Sequence, residues 1–189
     1  MLAVGLGSDV YCWNSTTGDI YRLCEMATSD MDTTTISSVK WVDYRSLAIG
    51  DSTGNVTIWD AEKKKYMRRL TGHAARVGCM SVGGEGNPWI LSTGSKSGEI
   101  VNFDVRKPDP VVSKFNNHEQ EVTGLAWQPQ GNFLASGGND NVVNIWSNDV
   151  GHSQTRPIHE ISEHTASVKA LAWCPWKAQV LATGGGMQF

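Results

Sequence analysis

The sequence lacks the features of a membrane, zinc-binding or nucleic-acid-binding protein. No apolar run approaches the ~20 residues of a membrane-spanning helix, and the opening MLAVGLGSDVYCW lacks the basic segment of a signal peptide. The net charge of −3 gives no general attraction to nucleic acid or to an anionic membrane. No C-x-x-C spacing relates the four cysteines, Cys12, Cys24, Cys79 and Cys174. We therefore expect reduced thiols in an intracellular protein without a nucleic-acid or membrane partner.

Motifs for cofactors and metals are also missing from the sequence. GSKSG (94–98) and ATGGG (182–186) are typical of turns between strands, not of glycine loops that join a strand to a helix. We expect no cofactor and no metal. The 189 residues, of which 40% are hydrophobic and 19% charged, are enough for one folded domain. A content of 20 Gly and 8 Trp favours short strands joined by tight turns.

An internal repeat organises the chain. In three copies an aromatic residue lies 12 positions after a leucine: LAIGDSTGNVTIW (47–59), LSTGSKSGEIVNF (91–103) and LASGGNDNVVNIW (134–146). A shorter copy, LAVGLGSDVYCW (2–13), opens the chain. The closing aromatic residues are separated by 46, 44 and 43 positions: Trp13, Trp59, Phe103 and Trp146. A second motif precedes each of the three longer copies: ISSVKW (36–41), VGCMSV (77–82) and VTGLAW (122–127). It occurs once more after the last copy, as VKALAW (168–173). This period predicts the four-stranded blades of a WD40 β-propeller.

The repeat predicts an all-β fold with about four and a half blades. VTGLAW is predicted as the innermost strand, LASG as the second, VVNIW as the third, and a segment such as YMRRL (66–70) as the outer strand. We assign residues 1–24 to a first blade without its first strand, then 25–70, 71–115 and 116–162 to blades two to four, and 163–189 to the start of a fifth. Such an arc cannot close into a ring, so we expect part of a longer protein or a truncated product.

Blade four carries four residues at the positions of the buried hydrogen-bonded tetrad of WD40 proteins. They are His118, Ser136, Asp140 and Trp146. A buried aspartate must be paired, and a histidine and a serine can supply its partners. The alternative is a hydrolase triad of His, Ser and Asp, but these residues fall on a recurrent blade position, and we expect a structural role. Blade three has Thr93, Ser97 and Phe103 at the corresponding positions, which predicts a broken tetrad.

Several segments resemble the WD-repeat domain of the Fizzy family: ISSVKW, GHAARVGCMS, SGGNDNVVNIW and VKALAWCPW…LATGGG. AWCPW and SGEI…DVR are more similar to the mitotic branch, the cell division cycle protein 20-like proteins. The resemblance implies a propeller of roughly seven blades that is a non-catalytic activator and substrate receptor of the anaphase-promoting complex, a ubiquitin ligase. It also implies partners among the subunits of that complex, degron-containing substrates and spindle-checkpoint proteins, and a cytoplasmic and nuclear location.

The resemblance assigns a binding role to Asn139 and Asn141. In the family, the asparagines of SGGNDN bind the Lys-Glu-Asn degron, and a carboxamide offers both donors and an acceptor to such a peptide. The alternative is that both residues only supply turn geometry, since Asn tolerates left-handed conformations. Met187 stands where relatives have a threonine that helps to hold the degron.

A second short-motif site is implied at Arg68, where the family has a basic residue used to bind such motifs. The alternative is that the basic residues of KKKYMRRL form an ordinary solvated outer strand, which also discourages edge pairing. Two broader alternatives stay open at the level of function. The chain is a generic WD40 interaction scaffold with other partners, or it is a non-functional truncated product.

Overall fold

The computed structural model describes residues 1–26, 34–148 and 156–186. These residues form 17 strands in five antiparallel sheets, which confirms the all-β prediction. The described residues contain no helix, and hence none long and apolar enough to cross a membrane. The chain divides into two compact units, Met1–Val77 and Gly78–Phe189, which are described separately.

The first unit holds a three-stranded sheet and a four-stranded sheet. The strands of the first sheet are, in spatial order, β1 (Leu2–Leu6), β2 (Asp9–Trp13) and β3 (Ile20–Glu25). Those of the second are β4 (Ile36–Trp41), β5 (Ser46–Asp51), β6 (Asn55–Asp60) and β7 (Lys65–Thr71). β4 is the predicted segment ISSVKW, and β7 contains the predicted outer segment YMRRL.

The core of the first unit follows the alternation of side chains along its strands. On β2, Val10 and Cys12 are fully buried, whereas Trp13 at the strand end is exposed. These two side chains pack with Leu23, Leu47 and other buried residues into one apolar cluster. Every residue of β5 is buried, as expected for a strand that is paired on both edges and covered on both faces.

The second unit holds the remaining sheets of the described residues. One sheet contains β8 (Val77–Val82), β9 (Ile90–Ser95), β10 (Glu99–Asp104) and β11 (Val111–Asn116). Another contains β12 (Val122–Trp127), β13 (Phe133–Gly138), β14 (Val143–Ser147) and β15 (His159–Ile161). A two-stranded sheet contains β16 (Val168–Trp173) and β17 (Leu181–Gly185). β8, β12 and β16 have the bounds of the repeated segments VGCMSV, VTGLAW and VKALAW.

Large aromatic side chains hold the β12–β15 sheet against its neighbours in the second unit. Trp146 on β14 is fully buried and stacks on Phe115 of β11, with ring centroids 4.5 Å apart. The indole of Trp173 on β16 donates a hydrogen bond of 2.9 Å to the carbonyl of Ala126 on β12. Trp146 pairs with Leu134 and Ala126 with Ala135, so both contacts pack the end of this sheet that lies away from the β13–β14 turn.

Candidate functional site

The candidate site is the turn that joins β13 to β14, from Gly138 to Val142. The N–H of Gly138 donates to the carbonyl of Val142 at 3.1 Å, and the N–H of Asn141 donates to the carbonyl of Gly138 at 3.3 Å. Asn141 has a φ of 66°, in the left-handed region. The turn thus projects Asn139 and Asn141 from the end of a sheet whose two central strands are buried.

The left-handed backbone of Asn141 recurs at the same position of the repeat in other sheets. Gly54 and Gly98, which align with Asn141, have φ values of 94° and 84°. Glycine adopts this region without steric cost, and asparagine is the side-chain-bearing residue that tolerates it best. The backbone of Asn141 therefore shows the predicted turn role. This role involves only the backbone, so the carboxamide is available to bind a ligand.

The four residues of the predicted tetrad form one hydrogen-bonded chain. The indole N–H of Trp146 donates to Oγ of Ser136 at 2.9 Å, and Oγ of Ser136 lies 2.8 Å from Nε2 of His118. Nδ1 of His118 lies 2.9 Å from Oδ2 of Asp140. These hydrogen bonds connect the segment before β12, the centre of β13, the turn and β14. They therefore attach the turn to the core of its sheet.

Donor and acceptor counting defines the tautomer of His118. Nδ1 faces the carboxylate of Asp140, which only accepts, and the hydroxyl of Ser136 can donate to Nε2 while it accepts from Trp146. The carboxamide nitrogen of Asn144, which is a donor only, also lies 3.2 Å from Nε2. Nε2 is therefore the acceptor, and Nδ1 carries the hydrogen that His118 donates to Asp140.

Asp140 holds the backbone of the turn in addition to its hydrogen bond with His118. Its Oδ2 accepts the backbone N–H of Glu119 at 3.0 Å, and its Oδ1 accepts the N–H of Val142 at 3.2 Å. A carboxylate accepts all of these bonds at once, whereas an amide side chain would place a donor against a donor. Asp140 thus closes the turn and joins it to the segment before β12.

The same geometry gives no support to the hydrolase alternative. Ser136 is fully buried and His118 is 4% exposed. Oγ of Ser136 also accepts the indole hydrogen of Trp146. A nucleophile must reach the substrate, so a sealed serine at the centre of a strand is a structural residue.

The two glycines of SGGNDN are required by close approach. A Cβ added to Gly138 would lie 2.6 Å from Nδ1 of His118 and closer still to Oδ1 of Asp140. A Cβ added to Gly137 would overlap the carbonyl oxygen of Val168 on β16. Side chains here would break the His118–Asp140 bond or push the next sheet away.

Asn139 is the exposed residue of the turn and is held at two points. Its backbone N–H donates to the carbonyl of Glu121 at 2.8 Å. Its side-chain Oδ1 accepts a hydrogen bond of 2.6 Å from Oγ of Ser167, the residue before β16. Among the described residues nothing accepts from its Nδ2, and the same part of the chain offers no hydrogen-bond partner to the half-buried carboxamide of Asn141. The turn therefore presents unsatisfied amide groups to solvent.

The second predicted site residue, Arg68, lies on β7 in the first unit. Arg68 is half-buried and pairs across the ladder with Ile58 of β6. Its basic neighbours Lys63, Lys65 and Arg69 are exposed, and Nζ of Lys64 lies 4.4 Å from the ring centroid of Tyr21. The strand thus offers a basic outer edge, which fits both predicted roles of this segment. Met187 lies outside the described residues.

Two contacts of Asn139 were missed by reasoning from the sequence alone. Glu121 and Ser167 occupy the same repeat position, three residues after His118 and His164 respectively. Both immediately precede an inner strand: Glu121 contacts the turn of its own sheet, and Ser167 contacts the turn of the neighbouring sheet. This shared position is the signal that could have identified them.

The β8–β11 sheet has a different buried polar network. Thr93 donates to the carbonyl of Val101 at 3.1 Å, and Phe103 is fully buried without a donor group. Instead, Oγ of Ser92 donates to Oδ1 of Asn102 at 2.5 Å, and Nε1 of Trp127 donates to Ser92 at 2.8 Å. In the two-stranded sheet, Nε2 of His164 lies 2.8 Å from Oγ1 of Thr183, at the positions of His118 and Ser136.

No group of three or more His, Cys, Asp and Glu side chains within residues 1–26, 34–148 and 156–186 could hold a metal ion. The polar groups that the β13–β14 turn offers are the carboxamides of Asn139 and Asn141.

Comparisons with known proteins bear on the fold and the family. A family model described as the CDC20/Fizzy WD40 domain matches residues 1–188. A solved structure, a crystal structure of a mitotic checkpoint complex, contains a chain that superposes with a TM-score of 0.88 at 44% sequence identity, over 97% of this chain and 53% of that one. The prediction of a WD40 propeller fold is confirmed by these matches.

Curated relatives match at similar levels across both branches of the family. The anaphase-promoting complex subunit cdc20 of Dictyostelium discoideum is 44% identical over 187 residues, which cover 98% of this chain and 36% of the relative. Cell division cycle 20.1, cofactor of APC complex, of Arabidopsis thaliana is 43% identical over 98% of this chain and 40% of its own length. The APC/C activator protein CDH1 of Saccharomyces cerevisiae is 43% identical over 98% of this chain and 31% of its own length. The chain thus spans less than half the length of these relatives.

Proposed function

The chain belongs to the CDC20/Fizzy WD40 family, and from this premise we propose that it is the degron-binding part of an activator of the anaphase-promoting complex. In this proposal it is a non-catalytic subunit that binds Lys-Glu-Asn peptides of substrates and of spindle-checkpoint proteins through Asn139 and Asn141. Its expected location in the cytoplasm and nucleus stays a prediction.

The observation that carries the proposal is the exposed amide turn between β13 and β14. The carboxamide of Asn139 offers its Nδ2 to solvent, and Asn141 holds a second carboxamide two residues away on a left-handed backbone. The hydrogen bonds of Asp140 to His118, Glu119 and Val142 keep the turn in one conformation. A preorganised polar turn is what recognition of a short peptide requires, because little freedom is lost on binding.

Energetics also support specificity at this turn. Loss of one hydrogen bond to an amide, or binding of a peptide that leaves the amide unpaired, costs about 1–3 kcal/mol. One such amide gives discrimination of roughly five- to a hundredfold between a matching peptide and one without the right groups, and two together give about thirtyfold or more. This range is adequate for a substrate receptor that reads a three-residue motif.

The test is binding of a fluorescent Lys-Glu-Asn peptide to the full chain, compared with Asn139→Ala and Asn141→Gly. Glycine is the right replacement at 141, because it keeps the left-handed turn and removes only the carboxamide. Each variant is expected to weaken binding by about tenfold. Asn132→Ala is the matched control, since Asn132 is also exposed but lies before β13, at the other end of that strand.

Failure of the unmodified chain to bind the peptide would sink the degron proposal and leave a generic WD40 interaction scaffold. Unchanged affinity in Asn141→Gly, with weakened binding in Asn139→Ala, would restrict Asn141 to its turn role. A peptide in which alanine replaces all three motif residues reports non-specific binding.

The basic outer strand supports a weaker, second part of the proposal. Arg68 is proposed to bind a different short motif, alongside the exposed Arg69 on the same strand. The test is crosslinking of candidate checkpoint peptides to the chain and to Arg68→Ala. The control is Lys63→Ala, which removes a positive charge at an exposed position before β7 and is expected to leave crosslinking unchanged.

A further inference from the structure

Ser167 and Asn139 are joined by a hydrogen bond that reaches from one sheet to the next. Oγ of Ser167, just before β16, donates to Oδ1 of Asn139 in the β13–β14 turn at 2.6 Å. The two residues are 28 positions apart in the chain. This contact acts on the side chain of Asn139, whereas the backbone of Asn139 is held separately by the carbonyl of Glu121.

The bond determines which part of the carboxamide is available for a ligand. A free asparagine side chain can rotate to present either its oxygen or its nitrogen, because the terminal torsion is broad. With Oδ1 bound to Ser167, the two hydrogens of Nδ2 are the groups that face outward. Asn139 is thereby set as a hydrogen-bond donor.

Ser167 itself is well positioned to impose this orientation. Its carbonyl accepts the N–H of Gly186 at 2.9 Å, and the following residue, Val168, is fully buried. The carbonyl of Val168 in turn accepts the hydroxyl of Thr123 at 2.6 Å. The backbone around the half-buried Ser167 is therefore held at two points, which keeps its Cα at a fixed distance from the turn.

We propose that Ser167 is a positioning residue that orients Asn139 to donate hydrogen bonds to an acceptor of the bound peptide. This inference rests on the proposed function, since it concerns the same turn and the same peptide. The best matching acceptor is the glutamate carboxylate of the motif, because hydrogen bonds to an ionised acceptor are the stronger ones.

The first experiment is a double-mutant cycle with Ser167→Ala and Asn139→Ala, with the Lys-Glu-Asn peptide and the full chain. Ser167→Ala alone is expected to weaken binding roughly two- to tenfold, the range of one hydrogen bond. In the Asn139→Ala background the same change is expected to have no effect, because nothing is left to orient. Ser167→Thr, which keeps the hydroxyl, is expected to restore most of the affinity.

The second experiment tests the donor role directly through Asn139→Asp. Aspartate has the same shape and accepts from Ser167, but it has no donor to give to the peptide carboxylate. Asn139→Asp is therefore expected to bind the peptide more weakly than Asn139→Ala. Thr165→Ala, at an exposed position two residues before Ser167, is the control for general effects on this segment.

The outcomes separate this inference from the proposed function. If the unmodified chain binds the peptide and Asn139→Ala weakens binding, but Ser167→Ala has the same effect in both backgrounds, Ser167 has no orienting role. If Asn139→Asp binds as well as the unmodified chain, Asn139 accepts rather than donates, which also overturns the inference. If the unmodified chain does not bind, the proposed function itself is lost.

Discussion

The indole of Trp146 donates its hydrogen to Oγ of Ser136 across 2.9 Å in the interior of the β12–β15 sheet. Replacing Ser136 with Ala would leave this indole N–H without its partner and Nε2 of His118 with the carboxamide of Asn144 alone. A buried polar group that loses its partner costs about 1–3 kcal/mol, so Ser136→Ala is expected to lower the free energy of unfolding by that amount. Urea denaturation followed by tryptophan fluorescence is the measurement.

Ser147→Ala is the matched control for this prediction, because Ser147 ends β14 and is only half-buried. Its change in stability is expected to stay within about 0.5 kcal/mol. Equal effects of the two substitutions would contradict the structural importance of the tetrad.

The backbone of Asn141 makes a stability prediction that does not depend on any ligand. Its φ of 66° lies in the left-handed region, which is strained for most residues with a Cβ and is tolerated best by Asn and Asp. Asn141→Ala is expected to destabilise the fold by about 1 kcal/mol, whereas Asn141→Gly is expected to change stability by less than about half of that. Thermal unfolding of both variants checks the difference, and equal melting temperatures would show that the turn does not need this conformation.

Asp104 is expected to make stability depend on pH at acidic values. Arg106 hydrogen-bonds both oxygens of this carboxylate at 3.0 and 2.8 Å, and this interaction lowers the pKa of Asp104 to about 2. A lowered pKa in the folded state stabilises the protein above the ordinary aspartate pKa of about 3.9, and this contribution is lost as the pH falls toward about 2.

Asp104→Asn is therefore expected to be less stable than the unmodified chain near neutral pH and to show a smaller loss of stability on acidification. Denaturation midpoints at a series of pH values measure this difference. Asp109→Asn, at an exposed position between β10 and β11, is the control for loss of a carboxylate near this site. A curve for Asp104→Asn that runs parallel to that of the unmodified chain would argue against the Arg106 interaction.

Cys24 is expected to resist thiol reagents in the folded protein. The residue is 7% exposed, and burial raises the pKa of its thiol to about 11. At pH 8 only about one thiol in a thousand would be the reactive thiolate. Alkylation followed by mass spectrometry is expected to modify Cys24 only after denaturant is added, and rapid labelling of Cys24 under native conditions would show that this core opens locally.

Much of the fold was determined by the sequence because its signals are local and periodic. ISSVKW, VGCMSV, VTGLAW and VKALAW coincide with β4, β8, β12 and β16, since each combines strand-forming residues with turn residues at fixed offsets. The residues of the tetrad were also predictable, because they occupy recurrent positions of a known repeat. Their polar side chains need each other once they are buried.

Contacts that join different sheets were decided only by the tertiary structure. The bond from Ser167 to Asn139 and the bond from Trp127 to Ser92 depend on where one sheet places its edge against the next. Serine is common in this chain, and only its place three residues after His164 distinguishes Ser167 as a partner of a residue 28 positions away. The repeat specifies each strand through local patterning, whereas packing distances of a few tenths of an ångström decide which polar groups meet and which are left to face a ligand.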